Sequence, residues 1–315
     1  MRRRLAGGRV GIRVRAMASG EAERVKVCVL GVGLMGEKFA GRLASQGHAT
    51  GAWNRTQGPQ SGIAGVTGHS TCAEAVSAAD YVVTTLSDAA ALTEVLVGDS
   101  ATRSALAGKV VIQMGTIGPQ QSRDLESEVR KAGARAYLEA PVLGSKPEAE
   151  KGTLLVMAGG TEEDFDLCLP VLKSLSEDPL LIGPVGQGAA TKLALNQLIG
   201  AITIGFSTSL GLLQDNDVPV DKFMAILRPS ALYAPTMDKK LQRMLDRDYA
   251  NPNFPTKHLL KDIMLFQDEI DSTGSTVDKR FLKGQEHILA KTLRMGLADT
   301  DYSAVHDGVT RNEEP

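Results

Sequence analysis

Cysteine is scarce. Three occur in 315 residues, Cys28, Cys72 and Cys168, and they lie far apart. No two have the spacing of a thiolate metal site or a redox pair, so all three read as reduced, structural thiols. The five histidines are equally scattered and form no H-E-x-x-H pattern, so no metal site is expected. A strong charge is missing too: the formal net charge is −2. That balance argues against nucleic acid or an anionic membrane as the main partner. What remains is 43% hydrophobic and 23% charged residues, the composition of a soluble globular chain long enough for two domains.

Acid is absent from the first twenty residues. "MRRRLAGGRVGIRVRAMASG" carries six arginines and no long apolar stretch, which excludes a secretory signal. Residues 1–20 therefore read as an organellar transit peptide, chloroplast before mitochondrion. A disordered basic leader, or translation beginning at Met17, would look the same. Without these arginines the chain holds 29 basic against 37 acidic residues.

Charge is also absent from Leu193 to Gln214, a stretch long enough to cross a bilayer. Asn196, Gln197, Thr203, Ser207, Thr208, Ser209 and three glycines interrupt it. A helix apolar nearly all round can be buried in protein instead, and a central core helix is the expectation.

From Val25 to Leu181, short β-rich runs alternate with helical stretches. The runs are "VKVCVL", "ATGAW", "YVVTTL", "KVVIQM", "RAYLEA", "TLLVMAG" and "PLLIG". The helices are expected at Leu34–Gln46, Asp88–Val97, Gln120–Ala132 and Glu162–Ser174. Such alternation predicts a doubly wound, mostly parallel sheet. After "GPVGQG" the strand signals stop, and helices are expected at Ala189–Gln214, Val220–Leu227, Met237–Leu245, Lys257–Asp271 and Val277–Gly296. The expected division is an α/β domain over 24–185 and an all-α domain over 186–315. The segment Gln57–Ser70, rich in glycine and proline, reads as a loop or a frayed turn.

Gly31, Gly33 and Gly36 form G-x-G-x-x-G after a strand and at the opening of a helix, the context of a dinucleotide site. Leu34 and Met35 complete the loop. In an NAD site an acid about 20 residues further on takes the ribose hydroxyls. Here the second strand ends in Asn54, Arg55 and Thr56. A guanidinium suits a 2′-phosphate that a carboxylate would repel, so NADP (NADPH) is the expected cofactor.

"GVGLMG", "WNRT", "TLSD", "EAPVLGSKPEAEKGTLLVMAGG", "GQGAATKLALNQ" and "FPTKHLLKD" together resemble the β-hydroxyacid dehydrogenases over about Val25 to Val309. Within that family the plant-type glyoxylate/succinic semialdehyde reductases are most similar. The resemblance implies a Rossmann domain, a helical domain packed on it, and a small aldehyde-acid substrate between them. It places the catalytic lysine on Lys192, with Asn196 four residues on, on the same helix face. Leu86 and Thr116 would border the nicotinamide and its ribose. Lys261 and Asp262 would contact the cofactor and close the site, and Phe254 would line the substrate pocket. Backbone N–H groups around Gly144 and Ser145 would hold the substrate carboxylate. The chain departs from the family pattern at Leu143, where serine is usual, and at Gly115, where serine is common. Leu143 weakens activity, favours a bulkier substrate, or marks a non-catalytic member. Reduction of glyoxylate and succinic semialdehyde is the leading reading. A 3-hydroxyisobutyrate-type dehydrogenase and a non-catalytic NADP-binding module are the alternatives. Self-association into a homo-oligomer is left open.

Overall fold

A computed structural model describes residues 24–56 and 58–312, so the arginine-rich leader lies outside the described residues. The first half runs β1 (Lys26–Leu30), α1 (Gly36–Ser45), β2 (Ala49–Trp53), β3 (Val66–Gly68), α2 (Cys72–Ser77), β4 (Tyr81–Thr84), α3 (Ala89–Thr93), α4 (Ser100–Ala105), β5 (Val110–Gln113), α5 (Pro119–Lys131), β6 (Ala136–Glu139), β7 (Val142–Leu143), α6 (Lys146–Lys151), β8 (Leu155–Gly159), α7 (Glu162–Leu175) and β9 (Leu180–Gly183). Helices follow: α8 (Gln187–Asp215), α9 (Val220–Leu227), α10 (Pro235–Asp246), α11 (Thr256–Thr273), α12 (Arg280–Thr292) and α13 (Val305–Thr310).

The strands form one sheet in the order β3-β2-β1-β4-β5-β6-β8-β7, with β9 beside β8. The pairings from β3 to β6 are parallel, and β8 lies antiparallel to β6 and β7. Helices cover both faces, so the strands are apolar on both sides, as parallel strands must be. Val27 and Val29 face one layer with Phe39, Leu43 and Leu172. Cys28 and Leu30 face the other with Val76, Leu96 and Tyr137. The alternation follows from the two-residue period of a strand. Smaller cores unite Leu259, Ile263, Leu289 and Tyr302, and Phe206, Leu210, Met224 and Met244.

Two expectations need correction. Gln57–Ser70 is not wholly loop: after a 3-10 turn at Pro59–Gly62, β3 pairs with β2 from Thr50–Val66 to Ala52–Gly68. Three residues with a terminal glycine are too short to show period-two patterning, and the neighbouring strand supplies the order. Helix α8, which carries the uncharged stretch Leu193–Gln214, is not buried all round. Gly188, Ala189, Lys192, Leu193, Asn196, Gly200, Thr203, Phe206 and Leu210 line its buried side, whereas Leu198 is 51% and Leu212 67% exposed. It packs on β8, β9 and α5 and on α10, α11, α12 and α13.

Candidate active site

The parallel strands β1, β4, β5 and β6 bring their carboxyl ends to one edge of the sheet. Chain direction around the sheet reverses between β1 and β4, where an open α/β sheet leaves its crevice. Gly31 follows β1 with φ +96°, and its N–H donates to the Trp53 carbonyl at 2.9 Å. A Cβ on Gly36 would lie 1.9 Å from the Gly31 carbonyl oxygen, so only glycine lets α1 start this close. A Cβ on Gly33 would meet nothing within 4 Å. The loop is therefore open outward at Gly33 and tight inward at Gly36. No side chain caps α1. Open backbone at an uncapped helix start fits a pyrophosphate. Leu34 is 41% exposed at the loop's tip, and Met35 packs against the core.

Asn54 accepts the Val32 N–H through Oδ1 and donates from Nδ2 to the Thr56 carbonyl, both at 2.9 Å. One Nδ2 hydrogen and one Oδ1 lone pair remain beyond these two bonds, and the Nδ2 bond is exposed. Asn54 ties the glycine loop to the end of β2. Arg55 differs: its side chain is 79% exposed, and its one ion pair among the described residues, to the also exposed Glu94, spans 4.0 Å. Such a contact holds it loosely.

Leu86 follows β4 and abuts both neighbouring loops. A Cβ on Gly31 would come within 2.9 Å of its side chain, and one on Gly115 within 2.5 Å of its carbonyl oxygen. Gly115 is thus required by the close approach of two loops. The Thr116 carbonyl accepts a hydrogen bond from Lys261 Nζ at 2.6 Å, and Nζ also lies 3.0 Å from Asp262 Oδ1. Lys261 therefore latches α11 to the loop after β5.

Lys192, one turn inside α8, is 9% exposed. Burial pulls its pKa down to about 8; the Asp262 carboxylate opposes this and the Lys261 ammonium adds to it. Asp262 is 2% exposed and accepts a hydrogen bond from Asn196 Nδ2 at 2.6 Å. Asn196 Oδ1 is buried with no partner among the described residues, an acceptor left for a ligand. The structure thus brings Lys192, Asn196, Lys261, Asp262 and Thr116 together across the two halves of the chain.

The expected carboxylate loop is partly committed. Leu143 ends β7, half-buried. Gly144 has φ +139°, and a Cβ there would lie 2.6 Å from Leu154. Ser145 gives its N–H and its hydroxyl to Glu148 Oε2, at 2.8 and 2.7 Å, capping α6. These donors serve the protein's own carboxylate, a correction to the role expected of Ser145. Phe254 is half-buried and packs edge-on against Tyr302, with ring centroids 5.9 Å apart. Glu139, which the sequence reading passed over, sits fully buried at the end of β6. A lone acid closing an otherwise apolar strand was the available signal.

A glycine loop at a sheet switch point, with a buried lysine in the field of a buried carboxylate and α11 latched to the loop after β5, defines a nicotinamide-dinucleotide oxidoreductase. Residues 26–184 match the NAD binding domain of 6-phosphogluconate dehydrogenase. Residues 186–307 match the NAD-binding region of NADP-dependent 3-hydroxyisobutyrate dehydrogenase. The chain belongs to the β-hydroxyacid dehydrogenase family, whose members are NAD(P)-dependent oxidoreductases acting on CH–OH groups. It is 30% identical to Glyoxylate/succinic semialdehyde reductase 1 of Arabidopsis thaliana over 92% of this chain and 100% of that protein. It is 26% identical to Cytokine-like nuclear factor N-PAC of Drosophila melanogaster over 88% of this chain, which spans 46% of that longer protein. The solved 3-hydroxyisobutyrate dehydrogenase of Mycobacterium tuberculosis superposes with a TM-score of 0.81 at 23% identity, covering 92% of this chain and 100% of that one.

Proposed function

We propose that the protein reduces small aldehyde acids with NADPH, converting glyoxylate to glycolate and succinic semialdehyde to 4-hydroxybutyrate. The observation that carries this reading is the buried Lys192, on the same face of α8 as Asn196 and under the charge of Asp262, which Asn196 holds by a hydrogen bond. The residues fit the dinucleotide: the loop Gly31–Gly36 would take its pyrophosphate and Arg55 its 2′-phosphate. Leu86 and Thr116 border the same edge. Bound there, the nicotinamide would supply hydride to the carbonyl carbon. Lys192 Nζ gives its proton to the carbonyl oxygen as negative charge develops on it, and before that stabilises the oxygen by its charge. Asp262 favours the ammonium form, and Asn196 holds the carboxylate in place. Leu143, Gly144 and Phe254 would border the substrate's remainder.

Steady-state rates with a panel of aldehyde acids, measured with NADPH and with NADH, test this. Preference for NADH with 3-hydroxyisobutyrate would replace it by the dehydrogenase reading. NADPH binding without turnover of any aldehyde acid would replace it by a binding module. That second reading is favoured by Leu143 and by the likeness to N-PAC. Arg55→Asp is expected to raise the KM for NADPH far more than that for NADH.

The same proposal includes import into an organelle, the chloroplast before the mitochondrion, directed by residues 1–20. A fluorescent protein fused behind them should enter plastids or mitochondria; a diffuse cytosolic signal refutes import. It also includes a homo-oligomer, which exposed Leu198 and Leu212 on α8 would favour. Light scattering on the purified chain tests it, and a monomer refutes it.

A further inference from the structure

We propose that Glu139 is a positioning residue: its carboxylate seats the first turn of α8 on the sheet and thereby fixes Lys192. This rests on the reading of Lys192 as the proton donor.

Helix α8 begins without a cap of its own. Its N-cap is Gly186, φ +100°, which has no side chain to offer. The first N–H groups of a helix need acceptors, more so when buried. Glu139, from the opposite half of the chain, supplies one. Its Oε1 accepts the N–H of Gly186 at 2.7 Å and of Ala189 at 3.1 Å, and all three residues are buried. A carboxylate there also meets the positive end of the helix dipole.

The space around it is built for the contact. Gly159, paired with Glu139 across β6 and β8, leaves a gap: a Cβ there would lie 2.1 Å from Oε1. Gly188 leaves another. Its Cβ would come 3.1 Å from Oε1 and 2.5 Å from the Met157 carbonyl oxygen. Glycines from β8 and α8 thus admit the carboxylate from both sides. Lys192 follows Ala189 by three residues, so it shares the helix face that Glu139 anchors. Asp262 and Lys261 on α11 act on Lys192 through their charges. Its distance from them is set by where the start of α8 sits. A misplacement near 1 Å at such a residue can cost about 10²-fold in rate.

The test follows the proton on Lys192 as well as turnover. Lysine enriched in 13C at Cε is titrated by NMR in cofactor-free protein, with the Lys192 signal assigned by its loss in Lys192→Arg. Glu139→Ala frees the start of α8, hydrates Lys192 and moves its titration up from about 8. The same variant lowers kcat about 10- to 100-fold while the KM for NADPH holds. Glu139→Gln keeps an acceptor oxygen at the seat and recovers both the titration and most of kcat. Should Glu139→Ala not fold, Glu139→Asp, which withdraws the carboxylate by one methylene, must move the titration the same way. An unchanged Lys192 titration in the shortened variant, or no recovery with glutamine, overturns the proposal. If the titration moves but Lys192→Ala retains normal turnover, positioning stands and the catalytic reading fails.

Discussion

Lys192 is under two opposed pressures, and its pH behaviour shows which prevails. Burial favours the neutral amine and Asp262 the ammonium; the net result is a pKa of about 8. The ammonium is the form that donates. Reduction is therefore expected to be level below pH 8 and to fall above it, in kcat/KM measured on the free enzyme. A rate that rises through pH 9 would contradict the assignment. Lys192→Ala should lower kcat by roughly 10²–10⁴, with NADPH affinity little changed, since the glycine loop and Arg55 hold the phosphates. Lys192→Arg should not rescue, because a guanidinium keeps its proton near neutral pH. Gly115 makes a different case. The family resemblance makes serine the expected residue there, yet its Cβ would sit 2.5 Å from the Leu86 carbonyl oxygen. Gly115→Ser is expected to raise the KM for NADPH and lower thermal stability. Improved activity in that variant would show that the two loops can part.

Among the elements, α8 is the one on which both halves depend. Gly188→Ala should push its start off β8, because the new Cβ meets the Met157 carbonyl and the Gly159 nitrogen, backbone atoms that cannot rotate away. A loss of about 1–3 kcal/mol is expected from such overpacking, read as a lower urea midpoint at unchanged m-value. The longer strands were legible as short β-rich runs between turn residues, and the longer helices as the stretches between them. The glycine loop was legible because its spacing has a steric meaning. Shorter elements escaped, although two carried a readable cap: Thr71 and Glu74 close a capping box on α2, and Ser145 and Glu148 do so on α6. At Ser145 that missed cap mattered, since it takes the donors expected to meet substrate. At Asn54 the place in the sequence was legible, but its partners Val32 and Thr56 were not. Glu139 carried a signal as a lone acid closing an apolar strand, but its partners, 47 and 50 residues away, were not legible.

For the molecule as a whole, buried histidines set the response to acid. His48 accepts the Val25 N–H at Nδ1 and lies 2.8 Å from Ser174 Oγ at Nε2, a bonding pattern that requires a neutral ring. His306 is fully buried, and His258 partly so. Burial lowers the pKa of all three. Below about pH 6.5 the unfolded chain binds protons that the folded one refuses, so stability is full above that pH and falls as pH drops through it. Urea midpoints at pH 7.5 and 5.5 should show the loss, and His48→Gln should reduce the difference. A midpoint that rises on acidification would contradict this account.

The contact between Glu139, Gly159 and Gly188 also bears on heredity. A cut at residue 185 or 186, where two recombining genes would most naturally join, separates the acid from half of its seat. A graft carrying Glu139 but a larger residue at 188 would bury a carboxylate against a side chain. One carrying both glycines without the acid would leave the amides of Gly186 and Ala189 bare. Chimeras with other members of the family should therefore function only when all three positions come from one parent. In descent, these three positions are expected to change together or not at all.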